Sequence, residues 1–250
     1  MTVTYERIGA AAVVTIDRPD RRNAIDGPTA ERLNAAYRRF EDEDARVMVL
    51  TGAGDEAFVA GADLKNLESL AGRIHLPEGP LGITRLTASK PTIAAVNGWC
   101  VAGGLELALW CDLRVAARSA RFGCLERRWG VPLLDGGTQR LPRIVGLGRA
   151  LDLILTGRVV DAAEAHAMGL VTEVVEDGGA LTRAQELAEL IAGFPQETML
   201  ADRRAAIEGG GLDLQAGLWL EARLGGATVL AGLAGAQWFA AGEGRSAAPA

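Results

Sequence analysis

The sequence has few residues of the types that hold metals or form disulfides. It contains three cysteines, Cys100, Cys111 and Cys124, and two histidines, His75 and His166. An odd number of cysteines without paired spacing is not typical of a disulfide framework or a zinc site. We therefore predict reduced, mostly buried thiols and no metal site.

Positive charge is scarce as well. The chain has 26 basic residues against 32 acidic ones, its formal net charge is −6, and Lys65 and Lys90 are the two lysines. Nucleic-acid binding needs positive charge clustered on one face, so this balance disfavours a nucleic-acid partner.

Long apolar runs are also missing. The longest nearly uncharged stretch, residues 225–241, is glycine-rich and shorter than the roughly 20 residues that a membrane-spanning helix needs. Residues 1–17 do not show the pattern of a secretory signal. We therefore expect a cytoplasmic protein with no membrane partner. A chain of 250 residues that is 49% apolar can bury a large core in one main domain.

Strand-like and helix-like segments alternate through much of the chain. Apolar and β-branched runs predict strands at residues 11–17, 47–51, 92–96 and 112–117. Between the first two, apolar residues at helical spacing predict a helix over residues 29–44. This order indicates a layered α/β domain. From residue 178 onward the pattern predicts helices, at residues 181–192, 196–208 and 214 to about 233.

Two glycine-containing turns follow apolar strands. In the first, Gly61, Ala62 and Asp63 lead from a strand into a helix; in the second, Gly103 and Gly104 open a helix that carries Glu106 in its first turn. The unpaired N–H groups and the dipole at a helix N-terminus favour negative charge. Two such turns can supply two donors to one oxygen. The alternative is that the glycines serve close packing and Glu106 complements the dipole.

These turns belong to a set of segments that resembles the crotonase family of enoyl-CoA hydratases and isomerases. The matching segments, in the family's order, are residues 18–26 (RPDRRNAID), 57–65 (AFVAGADLK), 95–108 (AVNGWCVAGGLELA), 121–146 and 155–175. The resemblance implies a ββα spiral core over residues 1–195. It also implies a helical segment at residues 196–250 that mediates trimer contacts and covers the active site, in a homotrimer or a dimer of trimers.

The resemblance further implies addition of water across the 2,3 double bond of an enoyl-CoA thioester, with coenzyme A as part of the substrate and no separate cofactor. Glu106 and Glu126 match the two glutamates of the family's hydratases, with Glu126 protonating Cα and Glu106 positioning the water. Carboxyl groups that share a pocket have pKa values pushed apart, which suits acid and base roles at one pH. The N–H groups of Ala62 and Gly103 would form the oxyanion hole. Alternatives are an isomerase, which needs mainly Glu126, and a non-catalytic acyl-CoA-binding protein.

Further site residues follow from the same resemblance. Contacts to the coenzyme A thioester are expected at Arg22, Ala24, Ala60, Ala62, Asp63, Leu64, Lys65 and Gly103. Candidates for the acyl pocket are Trp99, Trp129, Leu134 and Asp135. A basic residue near the end of family chains contacts the coenzyme phosphate, and Arg245 is the nearest match here.

Simpler interpretations of these residues stay open. The glutamate at 126 can pair with Arg127 or Arg128, Asp135 can cap a helix at residues 138–144, and the tryptophans can fill the core. Residues 72–82, with their prolines and glycines, predict a mobile loop beside the acyl pocket. We also expect Gly103→Pro to abolish turnover and Gly104→Ala to be milder.

Overall fold

The structure, a computed structural model, describes residues 2–242. Within these residues the chain divides into two compact units, the first ending at Glu189 and the second beginning at Leu190. The boundary expected after residue 195 therefore falls inside the second unit.

The first unit contains two β-sheets. Within the described residues the strands are β1 (Val3–Ile8), β2 (Ala11–Ile16), β3 (Val47–Gly52), β4 (Ala57–Val59), β5 (Thr92–Val96), β6 (Trp99–Val101), β7 (Leu113–Ala117), β8 (Arg121–Gly123), β9 (Val160–Asp161) and β10 (Glu173–Val175). The larger sheet has the order β1-β2-β3-β5-β7-β10, and the smaller sheet has the order β4-β6-β8-β9. Strands β1 and β9 pair antiparallel with β2 and β8, and the other pairs are parallel.

Helices connect most of the parallel strands of this unit. They are α1 (Gly27–Asp42), α2 (Glu68–Ala71), α3 (Gly103–Trp110), α4 (Gly137–Val145), α5 (Leu147–Thr156), α6 (Ala162–Ala167) and α7 (Ala180–Gly193), the last of which runs into the second unit. Short 3-10 turns lie at Pro19–Arg21, Leu64–Asn66 and Leu125–Trp129. The alternating strands and helices confirm the predicted α/β class.

The core lies between the large sheet and its helices. Every residue of β3 and β5 is buried, which is typical of parallel strands covered on both faces. Helix α1 buries its predicted stripe: Leu33 and Phe40 have no exposed surface. Its N-terminus is closed by the Asp26 carboxylate, which accepts a 3.0 Å hydrogen bond from the Thr29 N–H.

The second unit is helical. It contains α8 (Gln196–Gly209), α9 (Leu214–Gly226) and α10 (Val229–Ala240), and α8 packs against both α9 and α10. The single helix expected from residue 214 to about 233 is wrong, because the chain turns at Ala227 and Thr228 after two successive glycines. Many large apolar side chains of this unit are exposed, and Leu214, Trp219 and Leu230 are more than two-thirds exposed.

Two properties of the whole described chain bear on the earlier expectations. All three cysteines are buried, as predicted. Among residues 2–242, no helix is both long enough and apolar enough to cross a membrane.

The arrangement of β4 and β6 places the two glycine-containing turns together. These strands are parallel neighbours, with Ala57 opposite Trp99. Each is followed by one of the turns, and the carboxyl ends of parallel strands meet at the same edge of a sheet. A Cβ added to Gly61 would lie 2.9 Å from the Gly103 nitrogen, so the two turns are in contact.

Candidate active site

A cavity of about 1130 Å³ opens beside these two turns in the first unit. One part of its wall is apolar, with Leu70, Ile74 and Leu81 among the lining residues. Three acidic residues that the sequence predicted for the site, Glu106, Glu126 and Asp135, line the same cavity and are each no more than 5% exposed. A pocket of this size with few convergent polar groups is typical of a small-molecule site.

The predicted pair of backbone donors faces this cavity. Ala62 and Gly103 both line it. Neither N–H donates a hydrogen bond to any acceptor within residues 2–242. The flanking bonds hold the turn in place, because the Ile25 N–H donates to the Gly61 carbonyl and the Asp63 N–H donates to the Ile25 carbonyl, both at 2.8 Å. Two free donors side by side can bind one oxygen that gains negative charge.

Ala102 sets the direction of the Gly103 N–H. Its φ of 52° and ψ of −128° are unusual for a residue with a side chain. Its own N–H donates to the Gly123 carbonyl at 2.9 Å, which fixes the turn to β8. This conformation could not be predicted from the sequence, because the glycines stand at 103 and 104 and not at 102.

Glu106 is held by the backbone of the segment before α4. Its Oε1 accepts hydrogen bonds from the N–H groups of Asp135, at 2.9 Å, and Gly137, at 2.8 Å. Burial, followed by the nearby charge of Asp135, raises the pKa of Glu106 to about 8, although the two backbone bonds act in the opposite direction. The simpler interpretation, a carboxylate that only complements the dipole of α3, does not account for this buried and fixed position.

Glu126 has a different environment. It lies in the 3-10 turn Leu125–Trp129, and both carboxylate oxygens are buried with no hydrogen-bond partner among the described residues. Burial raises the pKa of its carboxyl. The expected alternative of pairing with its neighbours is wrong: the Arg127 guanidinium donates to the Ile154 carbonyl, and that of Arg128 donates to the Gly157 carbonyl. An unpartnered buried carboxyl group calls for a functional explanation.

Asp135 does not cap a helix. The residue before α4 is Gly136, and the Asp135 Oδ1 instead accepts a 3.0 Å hydrogen bond from the Leu81 N–H and another from the Thr84 hydroxyl. The capping interpretation is wrong because these donors come from a distant part of the chain. Burial raises the pKa of the Asp135 carboxyl.

The candidate coenzyme contacts all line the cavity. They are Arg22, Ala24, Ala60, Ala62, Asp63, Leu64, Lys65 and Gly103. Arg22 is exposed and pairs with Glu56 at 2.6 Å. Arg245 lies outside the described residues.

Two ion pairs that share Arg18 could not be predicted from the sequence. The Arg18 guanidinium bonds the Asp63 carboxylate at 2.9 Å and the Asp26 carboxylate at 3.1 Å, and all three side chains are largely buried. Asp63 also accepts the Lys65 N–H at 3.1 Å. These bonds tie the Ala62 turn to the start of α1. A signal was present, since an arginine precedes a proline-containing turn and the acids stand at two later turns, but charge pattern alone does not reveal which groups meet.

The acyl-pocket candidates separate. Trp129, Leu134 and Asp135 line the cavity, with Trp129 71% exposed. Trp99 does not belong to the lining; it lies on β6 opposite Ala57 and Arg121. The placement of Trp99 in the pocket is therefore wrong.

The expectation of a mild Gly104→Ala variant is also wrong on packing grounds. A Cβ at Gly104 would lie 1.8 Å from the Val59 carbonyl oxygen. The backbone would have to move to relieve this contact. A Cβ at Gly103 would lie 2.7 Å from the flexible end of Leu81 and in ordinary contact with the backbone of Gly61, at 3.4 Å, and Ala62, at 3.7 Å.

A family model described as enoyl-CoA hydratase/isomerase matches residues 6–242. The chain belongs to this family. It is 38% identical to a short-chain-enoyl-CoA hydratase of Clostridium acetobutylicum over 224 residues, which cover 88% of this chain and 86% of that relative. It is 39% identical to an (E)-benzylidenesuccinyl-CoA hydratase of Thauera aromatica over 225 residues, covering 87% of each chain.

Solved structures of the family match the fold. The crystal structure of an enoyl-CoA hydratase from Mycobacterium marinum superposes with a TM-score of 0.90 at 35% sequence identity, and the match covers 96% of this chain and 95% of that chain. The prediction of a crotonase-type α/β fold is therefore confirmed.

Proposed function

We propose that the protein is an enoyl-CoA hydratase, a hydro-lyase that adds water across the 2,3 double bond of an enoyl-CoA thioester. The observation that carries this proposal is the convergence of two buried carboxyl groups, Glu106 and Glu126, on a cavity that also holds two free backbone donors. Membership of the family and the names of its relatives support the same activity.

The backbone donors would act on the thioester oxygen. As water adds to Cβ, negative charge moves through Cα to this oxygen, and the N–H groups of Ala62 and Gly103 stabilise it. Losing one donor of this kind typically costs about 10² to 10³ in rate.

The two carboxyl groups would divide the proton transfers. Glu106 is fixed by two backbone hydrogen bonds on one oxygen, so its second oxygen can orient the water and, once the carboxyl group is ionised, take its proton as the base. Glu126 accepts no such bond within the described chain, so it suits the role of the acid that protonates Cα. Hydroxyl is added to Cβ, Glu106 takes one proton from the water, and Glu126 gives one proton to Cα. Glu106 then releases a proton and Glu126 regains one by exchange with solvent, so the net reaction adds one water. Because the pKa of Glu106 is raised to about 8, we expect activity to rise with pH toward that value.

The coenzyme portion of the substrate would lie along the side formed by the candidate contacts, with Arg22 and Lys65 as cations near it. No separate cofactor is proposed.

We also propose that the exposed apolar side chains of the second unit are covered by other copies of the chain, in a homotrimer or a dimer of trimers. The free, buried thiols support a location in the reducing cytoplasm.

The test is the loss of conjugated enoyl-thioester absorbance when the protein is mixed with short-chain and medium-chain enoyl-CoAs. A hydratase removes this absorbance and forms the 3-hydroxyacyl-CoA. An isomerase would not hydrate the conjugated 2-enoyl-CoA and would instead generate this absorbance from a 3-enoyl-CoA. Binding of the thioester without either reaction would contradict the proposal and leave a binding protein.

A further inference from the structure

Asp135 joins two segments that are distant in sequence. Its carboxylate Oδ1 accepts bonds from the Leu81 N–H and the Thr84 hydroxyl, while its main-chain N–H donates to the Glu106 Oε1. One residue therefore contacts both the 79–84 segment and the buried glutamate. Asp135 as a whole is 4% exposed.

The surrounding groups restrain the same junction. The Arg140 guanidinium donates to the Asp135 carbonyl at 3.0 Å and to the Thr84 carbonyl at 2.6 Å. The space is also filled, because a Cβ added to Gly79 would lie 2.6 Å from the Thr84 hydroxyl oxygen and 3.2 Å from the Asp135 Oδ1. Because Asp135 is bonded through both its carboxylate and its main-chain carbonyl, the residue is held in one place, and its main-chain N–H points at Glu106 in a fixed direction.

The junction also reaches the oxyanion turn. Leu81, whose N–H Asp135 binds, lines the cavity, and its side chain reaches within 2.7 Å of where a Cβ on Gly103 would stand. The Asp135 carboxylate thus holds one wall of the cavity at the point where the glutamate and the free donors meet.

We propose that Asp135 is a positioning residue for the reaction: its carboxylate fixes the 79–84 segment to the turn before α4 and thereby holds Glu106 and Leu81 in place. The proposal rests on the proposed function for its kinetic readout. Asp135 acts through Glu106 and needs no contact with the reacting atoms. Holding a reacting group within a fraction of an ångström is worth a large share of an enzyme's rate.

Charges around Glu106 give a second readout. The groups that face it are Asp135, Glu126 on the Leu125–Trp129 turn, Arg140 on α4 and the Cys124 thiol, and Asp135 in turn faces Arg85 and Arg140. The negative charge of Asp135 raises the pKa of Glu106. Removing that charge while keeping the oxygen acceptor should therefore lower the Glu106 pKa.

Three variants separate these contributions. Asp135→Asn keeps an oxygen that can accept both bonds but removes the charge, Asp135→Ala removes both, and Thr84→Val removes one donor. Thr51→Val is the matched control for the last change, because Thr51 is also buried and its hydroxyl bonds the Ala95 carbonyl away from the cavity. Asp161→Asn, at the cap of α6, is the control for charge removal.

The expected results are a fall in kcat of about tenfold or more in Asp135→Ala, a smaller fall in Thr84→Val, and rescue to within about threefold in Asp135→Asn. The pH midpoint of kcat should move to lower pH by about half a unit or more in Asp135→Asn, with both controls unchanged. If Asp135→Ala does not fold, the other two variants carry the test. Wild-type kcat and midpoint in Thr84→Val and Asp135→Asn would overturn the proposal. Equal damage from Asn and Ala would also overturn it, because the carboxylate would then act by its charge or on substrate.

An infrared titration separates this inference from the proposed function. The carboxyl band that disappears in Glu106→Gln reports the protonation of Glu106 in the resting protein, without substrate. A lower midpoint in Asp135→Asn reports only the lost charge. A shifted or broadened Glu106 band in Asp135→Ala and Thr84→Val, with the band in Asp135→Asn and Asp161→Asn keeping its wild-type frequency and width, supports the inference even if the wild-type protein hydrates no enoyl-CoA. Wild-type frequency and width in Asp135→Ala and Thr84→Val would contradict it even if hydration is rapid.

Discussion

Glu106 and Glu126 line the same cavity, but their carboxyl groups differ in their hydrogen bonding. Glu106, in the first turn of α3, is fixed by two backbone N–H groups and lies beside Asp135. Glu126, in a short 3-10 turn, has both oxygens buried without a partner in the described chain. Burial raises the pKa of both carboxyl groups, whereas hydrogen bonding to the backbone distinguishes Glu106 from Glu126.

Removing either carboxyl group should have the largest effect on activity. Because hydration needs both a base and an acid, we expect Glu106→Gln and Glu126→Gln each to lower kcat/KM for an enoyl-CoA by about 10² to 10⁴. The absorbance assay measures both variants beside the wild-type protein. If Glu106→Gln retained full hydration, the held carboxyl group would have no part in the reaction.

Solvent-isotope exchange at Cα distinguishes the roles within the pair. Exchange at the wild-type rate in Glu126→Gln would exclude Glu126 as the acid. Loss of that exchange in Glu126→Gln, with folding intact, agrees with the division of roles that the hydrogen bonds favour.

The difference between the two carboxyl groups should also appear in stability. The unfolded chain releases the Glu106 proton near its ordinary pKa of 4.5, but the folded protein keeps it until about pH 8. Folding therefore favours the protonated form, and the free energy of unfolding falls as pH rises across that window. Near pH 9, Glu106→Gln should be more stable than the wild type by a few kcal/mol, whereas near pH 4 the two should differ little.

Urea unfolding at both pH values measures this effect. Glu126→Gln is the matched comparison, since its pKa is raised by burial without the added charge of Asp135, and we expect it to stabilise less. A wild-type stability that does not fall between these pH values would contradict the raised pKa of Glu106.

The residues of the site could be predicted from the sequence better than the contacts that hold them in place. Glu106 and the Gly103 turn were visible because a glycine-opened helix with an acid in its first turn is a local pattern. The free state of Glu126 was not visible, since two arginines follow it directly and only the fold shows that they bind other carbonyls. Asp135 was mistaken for a cap because an acid before two glycines and a threonine is typical of helix starts.

The other misses have the same physical origin. The positive φ of Ala102 depends on its bond to Gly123, which is a contact with a neighbouring strand. The break between α9 and α10 falls at small residues that are also tolerated inside helices. Local propensity fixes elements and turns, but contacts between distant segments decide which polar groups stay unpartnered.

The smallest expected effect tests the surroundings of Glu126. Arg127 and Arg128 donate to carbonyls and not to Glu126, so replacing either with glutamine should change kcat by about twofold or less. The same substitutions should leave the pH midpoint of kcat nearly unchanged, although Arg127 lowers the pKa of Glu126 slightly through its charge. A tenfold loss in Arg128→Gln would mean that this arginine reaches Glu126 during turnover. Glu126 would then lack a hydrogen-bond partner only in the resting protein, and its difference from Glu106 would disappear during turnover.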